Sequence, residues 1–286
     1  MRTTSSYAVA LAALVSLIVL GCGVPPERVT VKGSDTMVPL GQRWAEIYMT
    51  EHPDATIQVT GGGSGTGIAA LINGTTQICE SSRPMKPEEK NSVKEQRKAD
   101  VEEIPVALDA LAVYVNNKNP IERLTMEQVA RIYKGEITDW KDVGGPSGAI
   151  VLYGRENNSG TYVFFKEHVL ENKDFAEKYQ PLPGTAAVIN AITKDAAGIG
   201  YGGIGYATDA KTISIAKNAD AAPISPKMEN VLDNSYPLSR QLFWYTAGPP
   251  AGEVKDFVDW VLSPPGQKIV SEVGYYPLKP DTADNQ

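Results

Sequence analysis

Strand signals alternate with helix signals along nearly the whole chain, and this alternation predicts an α/β fold on a largely parallel sheet. The length of 286 residues gives room for a sizeable core and for two lobes. A third observation joins those lobes. Ile104 to Val115 (IPVALDALAVYV) is apolar apart from Asp109, which suits a buried strand continuing from one lobe into the other.

Taken in order, Arg28 to Lys32 alternates as a strand, Met37 to Tyr48 has helical apolar spacing, and Thr56 to Thr60 is a second strand. A helix is expected from Gly67 to Ile72, a strand from Gln77 to Ser81, and a polar helix from Pro87 to Ala99 with proline in its first turn. Beyond the long apolar run, helices are expected at Met126 to Tyr133, Tyr162 to Glu171 and Ala186 to Thr193, and strands at Ile150 to Tyr153 and Ile199 to Tyr201. Gln241 to Thr246 (QLFWYT) reads as a return crossing, after which helices near Gly252 to Leu262 and Gly266 to Glu272 pack on the first lobe. In open α/β sheets ligands sit beyond the carboxyl ends of the strands. The loops GSDT (33–36), GGGSGTG (61–67) and SSRP (81–84) each follow a strand, so they are expected to gather at one edge.

The N-terminus carries a targeting signal. Residues 8 to 20, AVALAALVSLIVL, are uncharged, follow Arg2 and end at Gly21-Cys22. The run falls short of the about 20 apolar residues that cross a bilayer and suits a signal-peptide core, with an uncleaved anchor as the alternative. Val19-Leu20-Gly21-Cys22 resembles a bacterial lipobox, in which the cysteine is lipidated and becomes the first mature residue. Either way the domain is expected outside the cytoplasm and tethered to a membrane. Without Arg2, the balance is 26 Lys and Arg against 34 Asp and Glu, a net charge of −8. Nucleic-acid binding, which needs a basic footprint, is therefore not expected. With Cys22 acylated, Cys79 is the remaining thiol, so no intramolecular disulfide is expected and Cys79 reads as a small buried apolar side chain.

Several kinds of chemistry find no support. Gly65-Thr66-Gly67-Ile68-Ala69-Ala70 fits a relaxed dinucleotide fingerprint, a weak signal when alone, and no Gly-Lys-Ser/Thr Walker sequence is present. Ser64 and Ser159 are each followed two residues later by Thr, so neither completes a G-x-S-x-G elbow. His52 and His168 with one cysteine do not make a structural zinc site, and no metal, organic cofactor or catalytic triad is expected.

What remains is a set of donors. Ser-Gly-Thr occurs at 64–66 and again at 159–161, each time ahead of an apolar helical pattern. Helix N-termini carry N–H groups without internal partners and a partial positive charge, which suits an anion. The plainer alternative is that Ser and Thr are simply good N-caps. Arg155 lies four residues ahead of Ser159, and Arg83 lies in SSRP. A planar guanidinium matches the paired oxygens of an oxyanion, a surface salt bridge being the alternative for either arginine.

The segments GSDTM (33–37), GGGSGTG (61–67), SSRPMK (81–86), ALDALAVYVN (107–116), IYKGEITDWKDVGG (132–145), GRENNSGTYVFF (154–165), AAGIGYGG (196–203) and GYYPL (274–278) together carry a resemblance over nearly all of the mature chain. They resemble the phosphate-binding proteins of bacterial high-affinity phosphate ABC transporters. The resemblance implies a two-lobed class II periplasmic-binding-protein fold, with the ligand cleft between lobes joined by crossing strands. It implies a signal peptide at 1–21, a tether at 22–27 lipidated at Cys22, lobe I at 28–109 and 245–286, and lobe II at 110–244. The function implied is a monomeric, lipid-anchored, non-enzymatic receptor that hands inorganic phosphate to a membrane permease. Ligand contacts fall by resemblance on Thr36, the Met37 amide, Ser64 and Ser82 from the first lobe and on Arg155, Ser159, Gly160 and Thr161 from the second. Asp109 is the implied acceptor at the lobe boundary, and Arg83 either touches the ligand or locks Asp109. Ala110 stands where the family pattern has glycine. A receptor for another tetrahedral oxyanion such as sulfate or a phosphonate, and an extracellular phosphatase or phosphate-sensing protein, remain as alternatives.

Overall fold

A nine-stranded sheet forms the frame of a computed structural model that describes residues 28–278. The apolar run at 8–20, Cys22 and the tether at 22–27 lie outside the described residues. Three parallel strands open the chain: β1 (Arg28–Gly33) pairs with β2 (Thr56–Thr60) on one side and β3 (Ile78–Ser81) on the other. Between them run α1 (Val38–Glu51) and α2 (Ser64–Asn73), and α3 (Pro87–Arg97) follows β3. This is the expected strand–helix alternation, with each helix returning the chain so that the next strand runs parallel.

The long apolar run is β4 (Val101–Val115), fully buried over its second half. It is followed by β5 (Arg123–Thr125), α4 (Met126–Tyr133), β6 (Val151–Arg155), α5 (Gly160–His168), β7 (Gln180–Leu182), α6 (Thr185–Lys194) and β8 (Gly198–Gly203). Then come β9 (Lys211–Thr212), β10 (Ser214–Ala216), α7 (Met228–Leu232), β11 (Ser239–Ala247), α8 (Gly252–Leu262) and α9 (Pro264–Glu272). Across the sheet the order is β2-β1-β3-β11-β4-β8-β6-β7, and the ninth strand, β9, pairs with the end of β4 off this path. The first ten residues of β4 lie antiparallel to β11 and its last five pair with β8, so one strand serves both lobes. The register shifts at Leu242/Phe243, opposite the stretch around Pro105. Proline has no N–H to give to a ladder, and a bulge is where a strand can absorb one. Ala110 is fully buried opposite Ser239 in this ladder, at ordinary strand geometry.

Each lobe has its own core. In the first, Trp44 of α1 meets Trp244 of β11 edge to face at 5.3 Å, Phe257 of α8 joins them, and the Trp44 indole donates to Gly266 O at 2.7 Å. The two C-terminal helices therefore pack on the first lobe, as expected. In the second, Phe165 stacks on Tyr201 at 3.9 Å and Tyr133 meets both rings edge-on. Trp140, in the Tyr133–Trp140 turn, donates to Ala197 O, which is a structural task.

Helix ends differ from expectation for local reasons. The second helix begins at Ser64, ahead of Gly65 and Gly67, because Gly63 at φ +90° turns the chain straight into it. The fifth begins two residues early and stops at His168, since Glu171 and Asn172 both take positive φ. The short strands β5, β7, β9 and β10 carry too few residues for a period-2 pattern, and β7 holds Pro181 at the sheet edge.

Glu80 sits on β3, fully buried. Its Oε1 accepts from the Trp244 indole at 3.3 Å, and Oε2 has no hydrogen-bond partner among the described residues. Burial pushes this carboxyl up to about 8, against the pull of the Trp244 bond. The folded state thus holds the proton more tightly than the unfolded chain. Its contribution is complete below the unfolded value of 4.5 and is lost as pH rises through about 8, by a few kcal/mol at ~1.4 kcal/mol per pH unit. Glu80→Gln is expected to keep its thermal midpoint flat between pH 5 and 8 while the wild type declines. Parallel curves in a melting series would show Glu80 to be ionised throughout.

Candidate ligand cleft

The carboxyl ends of three parallel strands define one edge of the first lobe. Thr36 follows β1, Ser64 follows β2 and Ser82 follows β3, and all three are fully buried. The second lobe meets them with the N-terminus of α5. Thr36 Oγ1 lies 2.9 Å from Thr161 Oγ1, Ser82 Oγ lies 3.3 Å from the same atom, and Ser64 Oγ is 3.4 Å from Ser82 Oγ. Gly160 is the contact that allows this approach. A Cβ there would collide with Ser64 Oγ and lie 2.8 Å from Ser82 Oγ.

The two Ser-Gly-Thr copies face each other, but they are not equivalent. Ser64 is the first residue of α2, behind Gly63, whereas Ser159 is the N-cap of α5 and its Oγ accepts from the Thr161 and Tyr162 amides. The Gly65 amide donates across the cleft to Asn158 O at 2.9 Å. These helix-end amides are thus spoken for, and the donors concentrated in the cleft are hydroxyls and guanidinium groups. The Ser159 hydroxyl keeps its own hydrogen as a donor.

Arg155 ends β6 with 2% of its side chain exposed. Its Nη1 donates to Thr185 Oγ1 at 2.8 Å and its Nη2 to Asp35 Oδ2 at 2.5 Å, while Nε has no partner among the described residues. A buried guanidinium N–H without a partner is costly, and a ligand oxygen is the natural group to satisfy it.

Two expected donors are turned elsewhere. The Met37 amide donates to Ser34 O at 2.9 Å within the turn that opens α1. Arg83 reaches neither the hydroxyl cluster nor Asp109. Its guanidinium donates to both carboxylate oxygens of Glu89, at 2.7 and 2.8 Å, and to Pro84 O. The reason is local: Glu89 stands in the first turn of α3, where it also accepts the Lys86 amide.

The arginine that locks Asp109 is Arg240, which sequence reasoning missed. The two lie directly opposite in the β4–β11 ladder. Arg240 Nε donates to Asp109 Oδ2 at 2.8 Å, Nη1 to Ser82 O at 3.1 Å and Nη2 to Thr161 Oγ1 at 3.1 Å, and the Ile204 amide donates to Asp109 Oδ1. Burial pushes the Asp109 carboxyl up, and Arg240 and the Ile204 amide offset only part of that rise. A signal for the pair did exist: Asp109 is the lone charge within one crossing run, and Arg240 immediately precedes the other. Among the described residues, no group of three or more His, Cys, Asp or Glu is placed to hold a metal ion.

Two lobes, shared crossing strands and a polar cleft between them define a class II periplasmic-binding-protein fold. Residues 22–265 match the model of the PBP superfamily domain. The phosphate-binding protein PstS of Pseudomonas aeruginosa is 37% identical over 269 residues, covering 88% of this chain and 83% of that protein. PstS of Bacillus subtilis is 33% identical over 251 residues, covering 87% and 80%. A phosphate ABC transporter substrate-binding protein of Clostridium perfringens, solved with bound phosphate, superposes with a TM-score of 0.81 at 29% identity, over 88% of this chain and all of that one. The chain belongs to the family of substrate-binding proteins of phosphate ABC transporters.

Proposed function

We propose that this chain captures inorganic phosphate outside the cytoplasm and delivers it to an ABC permease, as a binding protein and not as an enzyme. The observation that carries the reading is the buried meeting of the Thr36, Ser64, Ser82 and Thr161 hydroxyls between the lobes, with Ser159 capping the same helix and Arg155 buried and bonded across the cleft to Asp35, its Nε without a partner among the described residues. A buried oxyanion is tolerated only when hydrogen bonds replace its lost hydration, and a set of hydroxyls and a guanidinium supplies them. Gly160 contributes by leaving room, and Asp109 accepts a hydrogen bond from the protonated ligand oxygen at the lobe boundary. Arg240 joins this set by orienting both Asp109 and Thr161. Residues 28–109 and 242–278 form lobe I and residues 110–241 lobe II, a boundary earlier on β11 than expected because Leu242 and Trp244 lie in the core of the first lobe, so that ligand binding draws two bodies together about β4 and β11.

Calorimetry with inorganic phosphate tests the reading. One phosphate bound per chain, with no release of phosphate from a model ester, is the expected result; hydrolysis of the ester or absence of binding defeats it. The mature protein is a monomer held to the membrane by a lipid on Cys22. Support comes from the lipobox-like Val19-Leu20-Gly21-Cys22. Mass spectrometry of the mature N-terminal peptide decides this, since an unmodified Cys22 removes the anchor.

A further inference from the structure

We infer that Asp35 is a positioning residue that latches the two lobes together by holding the guanidinium of Arg155 from across the cleft, an inference that rests on the phosphate-receptor reading. Asp35 follows β1, whereas Arg155 ends β6 in the other lobe. Their ion pair, Arg155 Nη2 to Asp35 Oδ2 at 2.5 Å, therefore exists only while the lobes touch. Asp35 is itself fixed at three points. Its Oδ1 accepts the Gly62 amide at 2.7 Å, its Oδ2 accepts Arg155, and its carbonyl accepts the Tyr206 hydroxyl, also from the second lobe, at 2.7 Å.

This arrangement accounts for the run Gly61-Gly62-Gly63, to which anion binding alone assigns no task. A Cβ on Gly61 would lie 2.5 Å from Asp35 Oδ1, and one on Gly63 would lie 2.7 Å from Asn158 O. Asn158 in turn donates Nδ2 to Gly62 O at 2.9 Å and accepts the Gly65 amide at 2.9 Å. The glycines let lobe I come within hydrogen-bonding distance of lobe II and let Asp35 point at Arg155. With Nη1 on Thr185 and Nη2 on Asp35, the guanidinium plane is held from both lobes and Nε is left for the ligand.

Two effects of Asp35 oppose each other. Its carboxylate repels a bound anion, and it spares Arg155 a search over rotamers and an unpaired buried N–H. The pair is largely desolvated, with 2% and 21% of the two side chains exposed, so leaving one partner alone is the larger cost.

The test is a double-mutant cycle on Kd for inorganic phosphate, using wild type, Asp35→Asn, Arg155→Lys and the double variant. Asp35→Asn is expected to raise Kd about tenfold, and the double variant to bind no more weakly than Arg155→Lys alone, because Asp35 acts through Arg155. An unchanged or lower Kd in Asp35→Asn, or losses that simply add, overturns the inference. A second measurement reads closure itself. At saturating phosphate, small-angle scattering of Asp35→Asn and of Asp35→Ala is expected to give a larger radius of gyration than phosphate-bound wild type, and equal radii overturn the latch. If calorimetry shows that the wild type binds no phosphate, the receptor reading falls; a wild type that binds while the Asp35 variants match it in both Kd and radius defeats the latch alone.

Discussion

Arg155→Ala is expected to weaken phosphate binding by on the order of 100-fold, or about 3 kcal/mol, while the fold survives. The magnitude follows from where the guanidinium lies. An exposed ion pair contributes at most about 1 kcal/mol, because water screens it and competes for both partners. Arg155 is 2% exposed and sits between Asp35 and Thr185 with Nε unpartnered among the described residues. Removing it takes a charge-assisted donor from a desolvated anion and leaves Asp35 facing that anion without its counter-ion. Binding should therefore suffer more than folding, since β6 and α5 keep their own packing through Phe165 and Tyr201. Calorimetry gives the affinity and a melting curve gives the stability. A Kd within threefold of wild type would place Arg155 outside the site.

Much of this site was legible because its residues lie at ends of elements that announce themselves. Thr36, Ser64 and Ser82 follow strands that the alternation locates, and parallel strands bring their carboxyl ends to one edge whatever the detail of the register. Ser159 and Thr161 precede an apolar helical pattern, whereas the close approach that Gly160 permits shows only in the structure. Less legible were the choices made among competing partners. Nothing in SSRP says that Arg83 prefers Glu89 six residues on, and nothing in GSDTM says that the Met37 amide is taken by Ser34 O. The pairing of Asp109 with Arg240 spans 131 residues and depends on the antiparallel register of two strands, which tertiary structure sets. Asp35 was passed over for the same reason, as its partner Arg155 lies 120 residues away in the other lobe.

Asp109→Asn is expected to shift the sulfate-to-phosphate affinity ratio toward sulfate by on the order of 100-fold. A carboxylate in an anion site is costly by Coulomb repulsion, so it must be offset by something the right ligand brings. Near neutral pH phosphate carries at least one proton and can donate it to Asp109, whereas sulfate carries none and sets acceptor against acceptor. The structure gives this argument a firmer base and a sharper rival. Burial pushes the Asp109 carboxyl up, and the bonds that Oδ2 accepts from Arg240 and Oδ1 from the Ile204 amide oppose that rise and support the ionised form that can act as an acceptor. Each carboxylate oxygen still has capacity for a further donor. The rival is that Asp109 serves only to neutralise Arg240 between the crossing strands. Either way Asp109→Asn breaks a buried ion pair, so a lower thermal midpoint is expected from both readings and separates nothing. Absolute affinities are equally ambiguous, because freeing Arg240 adds positive charge that favours both anions. The ratio cancels those shared effects and retains only what the ligand proton contributes. Competition titrations of the two anions on wild type and Asp109→Asn therefore decide between them: a ratio that stays at its wild-type value leaves Asp109 a structural counter-ion to Arg240 and assigns the rejection of sulfate to other residues.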